Sequence, residues 1–88
     1  MNAPELPDLR LRPDEVVRYR PVGGGRWKEA RVHGRSSDGS VTVVDGNGAL
    51  RSLRPEALEV RVTGPRGAAG WEPLLERAAR PAQLDLFG

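Results

Sequence analysis

Val41-Thr42-Val43-Val44-Asp45-Gly46-Asn47-Gly48-Ala49-Leu50-Arg51-Ser52-Leu53 decides the reading of this chain. Val41 and Val43 alternate with Thr42 and Val44, the period-two pattern of a strand with one buried face. Asp45-Gly46 and Asn47-Gly48 follow, and both dipeptides tolerate the positive φ that tight primed turns require. Residues 49–54 then return as a partner strand. The stretch reads as a β-hairpin, and its neighbours on both sides repeat the same grammar.

On the N-terminal side, residues 15–20 put Val17 and Tyr19 on one face and Val16, Arg18 and Arg20 on the other, until Pro21 and Gly23-Gly24-Gly25 break the run. Residues 26–35 resume with Ala30 and Val32 inward and Glu29, Arg31 and His33 outward, with Trp27 near the entry. Asp38-Gly39 turns into the strand at 40–44. On the C-terminal side, Pro55-Glu56-Ala57-Leu58 reads as one helical turn opened by proline, and residues 59–62 form a last strand through Val60 and Val62. Five short strands within about fifty residues expose their edges unless the sheet curls shut, so a small barrel is the expected solution.

The expected fold class is therefore mostly β: a small five-stranded barrel with a short C-terminal helix and flexible termini. Residues 1–13 carry Pro4, Pro7 and Pro13, which block a helix and most ladder pairing, and read as a mobile arm. Leu9 and Leu11 alternate as a strand lying along a sheet edge would. Residues 14–62 are the barrel. Residues 63–70, with Gly64-Pro65, Gly67 and Gly70, read as a linker. Residues 71–80 read as a helix with Pro73 in its first turn, an apolar stripe of Leu74, Leu75 and Ala78 that Trp71 extends, arginines in the last turn and Pro81 as a stop. A helix of roughly ten residues is marginal alone, so it is expected to dock on the barrel or to order on binding. Residues 81–88 form a tail.

A chain of 88 residues and 9.6 kDa supports one small domain with a thin core and no large cleft. It holds no cysteine, which excludes a disulfide framework and points to a reducing compartment. Neither a secretory leader nor a membrane-length apolar run is present in the sequence. The expectation is a cytoplasmic protein. The sequence pI of about 9.9 overstates the charge, since the formal net charge is only +2. Almost every cation is arginine, which stays charged to very high pH, so a small surplus moves the pI far upward. That surplus sits in residues 14–62, with nine basic and seven acidic side chains.

Catalytic constellations are missing from the pattern. His33 stands alone on a polar strand face, and Ser36-Ser37 has no base in a triad-like context. Gly23-Gly24-Gly25 lacks the Lys-Ser/Thr and helix start of a phosphate loop. Asp14, Glu15 and Asp45 have no recognisable acid-base partner, and Asp45 with Asn47 is explained by the turn. No catalysis, cofactor, metal or small-molecule substrate is expected.

Trp27-Lys28-Glu29-Ala30-Arg31-Val32, then Val43-Val44-Asp45-Gly46-Asn47, then Leu53 and Leu58, resemble the Tudor branch of the Src-homology-3-like barrels over residues 16–62. Tudor domains that read methylated side chains need several aromatic faces around the cation. Only Trp27 and Tyr19 are available in that region, so the resemblance implies the fold and not methyl-lysine or methyl-arginine reading. Tyr19, Arg26, Trp27, Lys28 and Arg31 are the candidate nucleic-acid or partner surface, with the two rings as stacking faces within a wider arginine stripe. Interleaved carboxylates dilute the field, so DNA binding there is expected to be weak and steeply salt-dependent. A solvated barrel exterior is the alternative.

Gln83-Leu84-Asp85-Leu86-Phe87 resembles the peptide by which bacterial polymerases and repair factors hold the DNA polymerase sliding clamp: Gln-Leu, then Ser or Asp, then Leu-Phe. All five positions match. Adjacent Leu86 and Phe87 suit one hydrophobic cleft, Gln83 can donate and accept hydrogen bonds at a second point, Leu84 adds contact, and Asp85 faces solvent. Burying three such apolar side chains yields about 1.5 to 3 kcal/mol each before the cost of ordering the peptide, which sets affinity near micromolar. The resemblance implies a non-enzymatic accessory or adaptor protein of bacterial DNA replication or repair. The alternatives are that Leu84, Leu86 and Phe87 fold back onto the barrel, and that the chain is a Tudor-like nucleic-acid-binding module.

Overall fold

Apolar residues at every second position organise the strands, and in the computed structural model, which describes residues 3–21, 23–64, 67 and 69–80, they converge on one side of a single sheet. Six antiparallel strands run β1 Val16–Tyr19, β2 Lys28–Arg35, β3 Val41–Asp45, β4 Leu50–Leu53, β5 Leu58–Thr63 and β6 Ala69–Pro73. Their order across the sheet is β4-β3-β2-β1-β5-β6. The β3–β4 hairpin is where the sequence places it, with Val43 opposite Arg51 and Val41 opposite Leu53.

The sheet is open, which corrects the expected closed five-stranded barrel. For five strands to close, β4 would have to meet β5, and β6 already occupies that edge of β5. The strand order is compatible with a small barrel-like fold, but among the described residues β4 pairs only with β3 and β6 only with β5.

The sixth strand arises where a linker and the start of a helix were expected. Gly67 has φ 75 and its N–H bonds the Gly64 carbonyl at 3.2 Å, so the glycines build a hairpin turn in place of a spacer. Trp71 then lies opposite Arg61 in the β5–β6 ladder. Pro73 ends the strand at a sheet edge, the place in a sheet where a missing donor is tolerated. Helix α1 is correspondingly short, Leu74–Ala79.

Among the described residues the core is a set of ten: Val17, Tyr19, Ala30, Val32, Val41, Val43, Leu58 and Val60 from the sheet, with Leu11 and Leu74 lowered onto it. Residues 1–13 were expected to be mobile, and their described part is instead packed. Leu6–Leu9 forms a 3-10 turn, Arg10 takes a left-handed φ of 57 that reverses the chain, and Leu11 drops into the core at 3% exposure. Leu6 and Leu9 pack beside it. The expectation that Leu9 and Leu11 follow a strand edge is replaced by this wrap, because three prolines leave the arm no ladder to join while its leucines still need cover. Arg77 of α1 ties the two lids together, with its Nη1 donating to Glu15 Oε2 and its Nη2 to the Arg10 carbonyl, both at 2.8 Å.

Candidate nucleic-acid interface

Strand pleating sends Arg18 to the face opposite Val17 and Tyr19, and antiparallel register sets it directly across from Glu59 on β5. Arg18 Nε and Nη2 both donate to Glu59 Oε1, at 2.8 and 2.6 Å. The same guanidinium lies 4.2 Å from the ring centroid of Trp27 and 4.8 Å from that of Trp71. Arg20 sits 4.6 Å from Trp27, and Arg61 5.6 Å from Trp71. Five side chains thus alternate cation and indole across β1, β5, β6 and the entry to β2: Arg20, Trp27, Arg18, Trp71, Arg61.

Each such contact contributes about 0.5–1 kcal/mol at an exposed site, so the array holds long side chains that would otherwise be loose. Indole faces that already carry guanidinium groups leave little room for a base to stack without displacing one. What the array offers is positioned charge. Glu59 neutralises Arg18, whereas Arg20 and Arg61 form no ion pair among the described residues. Glu29, across from Arg18 on β2, lowers the net field further.

The five residues named from sequence separate here. Trp27 joins the array. Tyr19 is buried at 4% exposure and belongs to the core, so its ring is no open stacking face. Lys28 pairs with Tyr19 across β1 and β2 and therefore shares the inner face. Arg31 is on the outer face, where its Nη1 donates to the Asp14 carbonyl at 3.2 Å. Arg26 is exposed beside Trp27 in the chain. Trp71 was missed as a surface residue because only its pairing with Arg61 brings it beside Arg18, and Ala69-Gly70-Trp71-Glu72-Pro73 carries too weak an alternation to announce a strand. Gln83, Leu84, Asp85, Leu86 and Phe87 lie outside the described residues.

Elsewhere the charged groups serve turns. Asp45 Oδ1 accepts from the Asn47 and Ala49 amides and Oδ2 from Arg51 Nε at 2.9 Å. Arg51 first, then the two amides, hold the Asp45 carboxyl below the ordinary carboxylate range, and the same pair raises Arg51. The Ser40 hydroxyl and then its amide lower Asp38 likewise. Among the described residues no cluster of three or more acidic or histidine side chains is arranged to hold a metal ion, and no helix is long and apolar enough to cross a membrane.

Comparison with protein-family models, with curated proteins and with solved structures found no match.

Proposed function

We propose that this chain is a non-enzymatic, cytoplasmic accessory protein of bacterial DNA replication or repair that attaches to the polymerase sliding clamp through Gln83-Leu84-Asp85-Leu86-Phe87. The observation that carries the reading is the agreement of all five residues with the clamp-binding pattern. On this reading the folded part, which resembles the Tudor branch of small barrels in Trp27 to Val32, is the cargo that the peptide brings to the clamp.

Titration of the protein against a purified bacterial sliding clamp tests this. The expected result is binding near micromolar that is lost in the Leu86→Ala/Phe87→Ala double variant. No binding, or binding indifferent to the double change, overturns it.

A second reading is favoured by the arginine–tryptophan array: the outer face binds nucleic acid through phosphates. The two readings are compatible, because tethering to a clamp on DNA raises the effective concentration of a weak DNA binder. Fluorescence anisotropy with single-stranded and duplex oligonucleotides at low salt should show binding that weakens in Trp27→Ala, Trp71→Ala and Arg31→Glu. Absence of binding at low salt rejects it.

A further inference from the structure

The unclosed end of the sheet leaves a hollow of about 440 Å³, within the size range of ligand sites. Arg51, Ser52, Leu53 and Arg54 all line it. Arg51, Ser52 and Leu53 are consecutive in β4 and point alternately to opposite faces, so the hollow, which lies on the inner side with Tyr19 and Lys28, reaches the edge of the strand. Its far wall is the end of β1 and the start of β2, at Tyr19 and Lys28.

Three properties of this hollow converge. Among the described residues no strand pairs with the outer edge of β4: Asp45 N–H bonds the Ala49 carbonyl at 2.9 Å, and the alternation of an antiparallel ladder from that pair turns the N–H and C=O of Leu50 and Ser52 away from β3. The charge is one-sided, with Arg20, Lys28, Arg51 and Arg54 around it against Glu56. Lys28 and Arg54 form no ion pair among the described residues. Leu53 and Ala57 give the hollow apolar lining, and Leu50 at the head of the strand is 61% exposed.

We infer that the outer edge of β4 is a docking site for an extended acidic peptide with alternating apolar residues, which pairs with Leu50 and Ser52 as a seventh strand. Its backbone satisfies the outward groups of β4, its carboxylates meet Lys28 and Arg54, and its apolar side chains enter the hollow over Leu53 and Ala57. A nucleic-acid strand fits less well, because it meets the cations but has no use for backbone donors and an apolar lining. The site does not need the clamp-binding peptide, and it shares only Arg20 with the arginine–tryptophan array.

The test is an amide NMR titration of the full chain with a synthetic peptide alternating Val or Leu with Asp or Glu. Binding at about 100 μM is expected, with the largest shifts at Leu50, Ser52 and Arg54. A peptide with Lys in place of the acidic residues should not bind. Arg54→Glu, at an exposed position, should weaken binding about tenfold, the effect of some 1.4 kcal/mol. Ser52→Pro removes the outward N–H on an edge strand that tolerates proline, and should abolish binding while the shifts of Val17 and Val60 report an intact core. No shifts up to about 1 mM peptide overturn the inference. So does binding unaffected by both variants, or an oligothymidylate that moves these amides when the peptide does not.

Discussion

Arg18 and Glu59 are cross-strand neighbours on the outer face of the sheet, joined by two hydrogen bonds of 2.8 and 2.6 Å to a single carboxylate oxygen. The pair removes one positive charge from the middle of an array whose other cations carry no counter-ion among the described residues. It therefore sets how much field the array presents.

Glu59→Gln should tighten binding to single-stranded DNA if the outer face contacts phosphates. Releasing one cation steepens the dependence of log K on log salt by about 0.7 for a single strand. Both side chains keep roughly a quarter of their surface in solvent, so the change should alter stability by less than about 1 kcal/mol. Anisotropy at several salt concentrations checks this, and an unchanged slope separates Arg18 from any phosphate contact.

Helix α1 enters the apolar core through one side chain. Leu74 is fully buried, whereas its neighbour Leu75 is 44% exposed. Leu74→Ala should lower the unfolding free energy by about 2–5 kcal/mol. Leu75→Ala should fall within about 0.5 kcal/mol of the parent. Urea unfolding followed by tryptophan fluorescence distinguishes them; equal effects would mean that the helix is not seated as described.

Leu11 makes the same point for the N-terminal arm. Its 3% exposure leads us to expect a loss of about 2 kcal/mol or more for Leu11→Ala, and a larger loss on deleting residues 1–13. Thermal denaturation of the two variants decides the matter, since a truly mobile arm would leave the midpoint unchanged.

Acid should weaken the β3–β4 hairpin only once the pH falls below the ordinary carboxylate range. The Asp45 carboxyl is held below the ordinary range in the folded state by Arg51 and by the Asn47 and Ala49 amides. Its contribution is thus fully present above the unfolded-state value and fades as pH falls through the folded one. Asp45→Asn should be less stable than the parent at neutral pH, with the gap narrowing as pH drops below the carboxylate range. A gap independent of pH in parallel melts would place the role of Asp45 in turn geometry alone.

Much of the sheet could be read in advance because its information is local. The alternation of Val17 with Tyr19, Ala30 with Val32, and Val41 with Val43 states which face is buried, and all six are core residues. Asp45-Gly46-Asn47-Gly48 states where the chain turns. The outer-face site was only half legible: Trp27 was identified, but its partner Trp71 was read as helix and Tyr19 was counted as surface.

By itself, then, the sequence determined the positions of five of the strands and their inward faces, because each depends on neighbours in the chain. Only the tertiary structure decided that the sheet stays open, that the prolines of the arm and the glycines after β5 serve packing and a hairpin, and that Arg18 lies between two indoles. Those features depend on which strand claims the free edge of β5. That choice is a competition between β4 and β6 for the same backbone groups, and no local pattern reports its outcome.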